Sequence, residues 1–213
     1  SVSDDVTAES VISNYIKSIG GAEKLKSVSS IEIKATANLQ GTVLEMYSLK
    51  NNQNQSLMTM TAMGMTLVKS VFNKYQGYNE VNGQRIPLTD EELEQAIINS
   101  ALFSELNFDL GSIELVGTSV VNEEKAYEIK ITDNKSVFYS AETGLKLKEF
   151  ESQEVDGNLI TGEVFYKEYK EVDGILIPSE INQVSASIPV PGGLTFKTSV
   201  IKLNVKTSDS DFN

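Results

Sequence analysis

Apolar residues in this chain recur at two spacings, and the change from one to the other marks out the elements. Val11, Ile12, Tyr15, Ile16 and Ile19 follow a helical period behind Thr7, Glu9 and Ser10, a capped helix start, and Gly20-Gly21 ends that run. Ala22 to Val28 predicts one further short turn of helix. From Ile31 the period becomes two: Ile31, Ile33, Ala35, Ala37 and Leu39 alternate with neighbours as far as Gly41, as a half-buried strand requires. Val43 to Leu49 runs back, Asn51 to Gln55 is a cluster of turn formers, and Leu57 to Ala62 and Met65 to Phe72 form two more strands around Gly64. Thr89-Asp90-Glu91-Glu92 has the form of a capping box, in which the Thr89 hydroxyl accepts the Glu92 amide proton while the Glu92 side chain reaches back. Leu93, Ala96, Ile97 and Ser100 then share one helix face.

After Gly111 the pattern returns to strands: Ile113 to Val121, Ala126 to Thr132, Ser136 to Tyr139, Leu145 to Gln153, Leu159 to Tyr169, Ile175 to Ile188 and Leu194 to Val205. Asp133-Asn134, Glu142-Thr143-Gly144, Asp156-Gly157-Asn158, Asp173-Gly174 and Pro191-Gly192-Gly193 separate them with good turn chemistry. Links this short make neighbours antiparallel, because a parallel crossover needs a dozen or more residues. The expectation is a mainly β (α+β) chain, one domain over residues 1–213. It consists of about eleven strands in a strongly curved antiparallel sheet, with an N-terminal helix and a helix inserted near residues 89–104 on the concave side. Tyr78 to Pro87 and Tyr169 to Pro178 echo each other, which repeated hairpin chemistry explains without a duplication.

Composition narrows the chemistry. Histidine, cysteine and tryptophan are absent from the 213 residues, which excludes His/Cys zinc sites, Ser-His-Asp triads, Cys-His pairs and histidine general bases. Thirty acidic against 18 basic residues give a net charge of −12, which repels phosphate backbones and anionic headgroups and argues against nucleic acid as a partner. No apolar run reaches the roughly 18 residues of a membrane-spanning helix. Ser1 to Asp5 lack the basic and apolar regions of a secretory signal, so the chain reads as a cytoplasmic protein or a fragment of a longer precursor.

All five methionines fall between Met46 and Met65, and Met58, Met60, Met63 and Met65 belong to one hairpin. Flexible, polarizable thioethers suit a wall that adapts to varied apolar ligands, and they equally suit core packing beneath a covering helix. The Leu102, Phe103, Leu106, Phe108 segment has the same two readings, a lid or a helix end sunk into the core. Met46, Met58, Met60, Met65, Leu102 and Phe103 are therefore the candidate ligand-binding residues. No residue is assigned as catalytic or as a metal ligand, and no cofactor is expected. Asp90, Glu91, Glu92 and Glu94 read as a solvated helix start favoured by the helix dipole. Asp209 and Asp211 lack the glycine-bearing loop of a calcium site.

Five segments in order carry a family resemblance: Tyr15 to Leu25, Ala101 to Leu106, Tyr139 to Lys146, Tyr169 to Pro178 and Ser208 to Phe212. Together they resemble the C-terminal region of envelope-located, insulinase-type zinc peptidases of Gram-negative bacteria. That region is in turn similar to the lipoprotein-carrier (LolA/LolB-like) fold, an incomplete antiparallel barrel with helices over its mouth. The resemblance implies a periplasmic or envelope location, a lipid or acyl chain as partner, and N-terminal peptidase domains in the same precursor. It transfers no catalytic residue, since the His-x-x-Glu-His site of those peptidases has no counterpart here. Two functional expectations follow: a non-enzymatic domain that binds a lipid, acyl chain or other apolar group in the hollow of its sheet, or a structural or interaction domain that accompanies a zinc peptidase. An unrecognised carboxylate hydrolase is a third, with no particular pair to recommend it.

Overall fold

The computed structural model describes residues 5–155, 157–188 and 190–213. Ser1 to Asp4, most of the N-terminal stretch read above for signal features, and Asp156, in one of the expected turns, lie outside them. Among the described residues, helices α1 (Ala8–Ser18), α2 (Ala22–Lys26) and α3 (Asp90–Asn99) accompany thirteen strands. The strands are β1 (Ser30–Leu39), β2 (Thr42–Asn51), β3 (Ser56–Ala62), β4 (Met65–Phe72), β5 (Gly77–Val81), β6 (Gln84–Pro87), β7 (Glu114–Val121), β8 (Glu124–Thr132), β9 (Lys135–Ser140), β10 (Lys146–Val155), β11 (Asn158–Val172), β12 (Ile175–Ser185) and β13 (Leu194–Leu203). Their hydrogen-bonded order is β6-β5-β4-β3-β2-β1-β13-β12-β11-β10-β9-β8-β7, an open sheet with β6 and β7 at its ends.

The count exceeds the expected eleven because β5 and β6 form a further hairpin. Its residues are largely exposed and show no apolar alternation, so the hydrophobic pattern is silent there; only the Asn82-Gly83 turn announces it. The echo has a structural meaning as well. Tyr78 faces Pro87 across one hairpin and Tyr169 faces Pro178 across the other, with Asn82 and Asp173 both at positive φ ahead of a glycine.

Both predicted caps form. The Thr7 hydroxyl accepts from the Ser10 amide at 3.1 Å and the Ser10 hydroxyl accepts from the Thr7 amide at 2.9 Å. Glu92 accepts from the Thr89 amide at 2.8 Å, and its own amide donates to the Thr89 hydroxyl. The inserted helix ends at Asn99, and a 3-10 turn, Ser104–Asn107, follows it.

Two compact units make up the chain: Ser1–Ala22 with Glu105–Thr195, and Glu23–Ser104 with Phe196–Asn213. In the first, α1 rests on two turns. The Leu176 amide donates to the Ile19 carbonyl at 2.9 Å, and Gly144, at φ 76, lies so close to α1 that a Cβ there would meet Asn14 and Ser18. Glycine is required at Gly144 by conformation and by space together. In the second unit, Leu49, Val71 and Phe212 form a buried cluster, with Tyr47, Leu57, Tyr78 and Val205 packed against it. Asn51 and Gln55 tie the C-terminal segment to this face: Asn51 Nδ2 donates to Gln55 Oε1 at 2.7 Å, and Gln55 Nε2 donates to Asp209 Oδ1 at 2.9 Å.

Candidate functional site

Directly opposed residues in an antiparallel sheet share a face, so register decides which side chains meet. Across the second unit, Ala35, Met46, Met60, Val68 and Val81 occupy one row from β1 to β5. The next row holds Ile33, Ser48, Met58, Ser70 and Asn79, and on the other side Ala37, Leu44, Ala62 and Met65 line up. A bulge between Met60 and Thr61 bends this part of the sheet and returns Met65 to the same face. Met46, Met58, Met60 and Met65 thus all belong to one face, opposite to the one covered by Phe212.

Burial along this face is graded. Ala35, Ala37, Leu44 and Ala62 are buried, whereas Met46, Met58, Met60 and Val68 are half-buried, and Met65 is 62% exposed. A row of half-buried methionines beside fully buried alanines is an apolar surface with partial access to water. Met63 belongs to the turn instead, at φ 52 and 83% exposed. Leu102 and Phe103 are half-buried in the turn between α3 and the 3-10 helix, outside the sheet rows that unite the methionines.

The first unit holds a cluster that the sequence reading missed. Lys146 on β10 places its ammonium 2.9 Å from Glu105 Oε1 and 3.0 Å from Glu149 Oε1. Glu105 also accepts from the Tyr139 hydroxyl at 3.1 Å, and Glu149 reaches Lys135 at 3.4 Å. The Tyr166 and Tyr15 rings lie 4.9 and 5.7 Å from the ammonium, and the Tyr169 hydroxyl donates to the Lys146 carbonyl at 2.8 Å. Burial opposes the Lys146 charge, but the Glu105 and Glu149 carboxylates outweigh it and hold the ammonium well above the usual lysine range. Burial likewise pushes Glu149 upward, and Lys146 and Lys135 more than reverse this, leaving its carboxyl below the ordinary value. Desolvation raises the phenols of Tyr15, Tyr139, Tyr166 and Tyr169, so all four stay protonated.

This arrangement is a satisfied network. Catalysis needs a group poised to gain or lose a proton near the working pH, and every shift here moves the group away from that range. Its place under α1, with the Tyr15 and Tyr139 rings 5.2 Å apart, makes it a clamp between helix and strands. No local rule could have found it, because Glu105, Tyr139 and Tyr166 join Lys146 only through the fold.

A depression of about 630 Å³ lies at the β7–β8 turn, lined by Asn122, Glu123, Glu124, Lys125, Tyr127, Ala141 and Glu142. It is open, largely charged, and shares no residue with either the methionine face or the Lys146 cluster. Among the described residues no group of three acidic side chains is placed to hold a metal ion, and no helix is long and apolar enough to cross a membrane.

No protein-family model and no curated protein sequence matches the chain. Solved structures do. A LolA superfamily protein from Nitrosomonas europaea is similar over 98% of both chains, at 15% identity and a TM-score of 0.59. A DUF1329 family protein from Desulfovibrio piger covers 96% of each chain at 13% identity, also with a TM-score of 0.59. A putative outer membrane lipoprotein-sorting protein domain from Vibrio parahaemolyticus matches 90% of this chain and 94% of its own, at 12% identity and a TM-score of 0.51. The chain shares the fold of these proteins, an open antiparallel sheet with few helices.

Proposed function

We propose that this chain is a non-catalytic, carrier-like domain of a Gram-negative cell envelope that takes an acyl chain or other apolar group on the methionine face. One observation carries this reading: Met46, Met58, Met60 and Met65 share a single sheet face and remain half-buried or exposed there. A methionine wall adapts to ligand shape, and each CH₂ removed from water contributes up to about 0.8 kcal/mol. Ordering of ligand and side chains offsets part of that gain. The shared fold supports the envelope setting, since one structural neighbour is described as a putative outer membrane lipoprotein-sorting protein domain.

A second reading rests on the resemblance to the C-terminal region of insulinase-type peptidases. In it the chain is a packed companion of peptidase domains in the same precursor and has no ligand of its own. The buried clamp around Lys146 is the kind of rigid interior such a module would have.

Met60→Lys separates the two. In the carrier reading the parent binds a fluorescent fatty acid, and the variant loses that binding while its melting temperature stays close to the parent's, because a ligand-facing wall tolerates a charge. In the companion reading the parent binds no fatty acid, and the same change sets an unpaired ammonium among packed apolar neighbours and lowers stability by about 1–3 kcal/mol. Thermal unfolding and fatty-acid titration of both proteins decide. A parent that binds no acyl probe, together with a strongly destabilised variant, would remove the carrier reading.

A further inference from the structure

Charge is sorted between the two faces of the second unit. Glu32, Lys34, Glu45, Lys69, Glu80, Arg85, Lys197 and Lys202 all occupy register positions on the face that Phe212 covers. The methionine face holds Ile31, Ile33, Ala35 and Ala37 from β1, Ile201 and Leu203 from β13, and Val68, Ser70 and Phe72 from β4. Among the described paired positions of β1 to β6 and β13, that face carries one charged side chain, Lys50.

Lys50 stands opposite Ile31 on one side and Ser56 on the other, with Phe72 next in the row. It is half-buried, and among the described residues no carboxylate lies within ion-pair distance of its ammonium. From its row to the Met46–Met60 row is four residues along the strand, about 13 Å at roughly 3.3 Å per residue. A lone cation therefore stands at one end of an apolar strip, and the exposed Met65 stands at the other. Burial lowers the Lys50 pKa, as expected of an ammonium that lacks a partner.

On the carrier reading above, we infer that the ligand is a free long-chain fatty acid, its carboxylate paired with Lys50 and its chain laid along Met58, Met60 and Met46. A single ammonium matches a singly charged headgroup. Phosphate recognition favours an arginine fork or clustered backbone amides, and this face has no arginine.

The test compares hexadecanoic acid, its methyl ester and a lysophospholipid as competitors of a fluorescent acyl probe, on the parent and on Lys50→Met. The parent is expected to bind the acid at least about tenfold more tightly than the ester, the range of a charge-assisted contact. Lys50→Met is expected to bind the two equally, with ester affinity retained and a melting temperature no lower than the parent's. Lys50→Gln serves as the second variant and should give the same loss of discrimination. Equal binding of acid and ester by the parent overturns this inference and leaves the carrier reading in place. Preference for the lysophospholipid overturns the headgroup assignment, and a parent that binds none of the three overturns both.

Discussion

Replacing Lys146 by methionine is expected to destabilise the protein by about 3–5 kcal/mol, the range for breaking a buried ion pair from one side. The stem volume is kept, while the cation between Glu105 and Glu149 is removed. Their side chains are only 3% and 19% exposed, so water replaces the cation poorly, least of all at Glu105. Adding Glu105→Leu should recover part of the loss, since it removes the more deeply buried of the two carboxylates that Lys146 leaves behind, while Glu149 keeps Lys135 and the Tyr139 hydroxyl loses its acceptor. Denaturant unfolding of the parent, both single variants and the double variant gives the coupling directly. Additive losses would mean that the cluster does not act as a unit.

The pH dependence carries a sign of its own. Glu149 has a depressed folded pKa, so its contribution is fully present above the ordinary carboxylate value of about 4.3 and is lost as the pH falls through the lower folded value. Lys146 has a raised one, so its contribution is present below about 10.4 and is lost only as the pH rises through the higher folded value. Both contributions are complete at neutral pH. In Lys146→Met, burial of Glu149 is opposed by Lys135 alone, its folded pKa rises, and protonation favours the fold. The gap between parent and variant should therefore be widest near pH 7 and narrow toward about pH 4. A gap that does not change with pH would contradict this.

Phe212→Ala should cost about 3–5 kcal/mol, the usual range for emptying an aromatic site in a packed core. Phe212 is 1% exposed and meets Leu49 and Val71, with Tyr47, Leu57, Tyr78 and Val205 around them. The expected signature in urea is a lower midpoint with an unchanged slope. A loss below about 1 kcal/mol would show that the site collapses around the missing ring.

What the sequence displayed was whatever is local. Thr7 with Ser10 and Thr89 with Glu92 are three residues apart, and both caps form as spelled. Turn pairs such as Asp133-Asn134 and Asp173-Gly174 mark strand ends because few residues accept their backbone angles. The β5–β6 hairpin was hard to count because neither of its faces is buried enough to demand alternation. Strand parity alone puts Met58 with Met60. Adding Met46 needs the β2–β3 register, and adding Met65 needs the β3–β4 bulge. Lys50 hides differently: beside Asn51 and Asn52 it looks like the start of a turn, whereas β2 continues through Asn51. Glu105 and Lys146 are brought together by tertiary structure alone, so no spacing announces them.

The pairing of Ile31 with Leu203 and Thr36 with Lys197 also governs how the molecule comes into being. β1 to β6 are built from successive hairpins that can zip locally, but the outer edge of β1 acquires its neighbour only when the chain from Leu194 onward is available. Until then a strand carrying Ile31, Ile33, Ala35 and Ala37 presents unpaired amides and carbonyls to any other chain that meets it. Loop closure of that span precedes any reward from the contacts it makes, so refolding yield is expected to be higher in dilute than in concentrated solution.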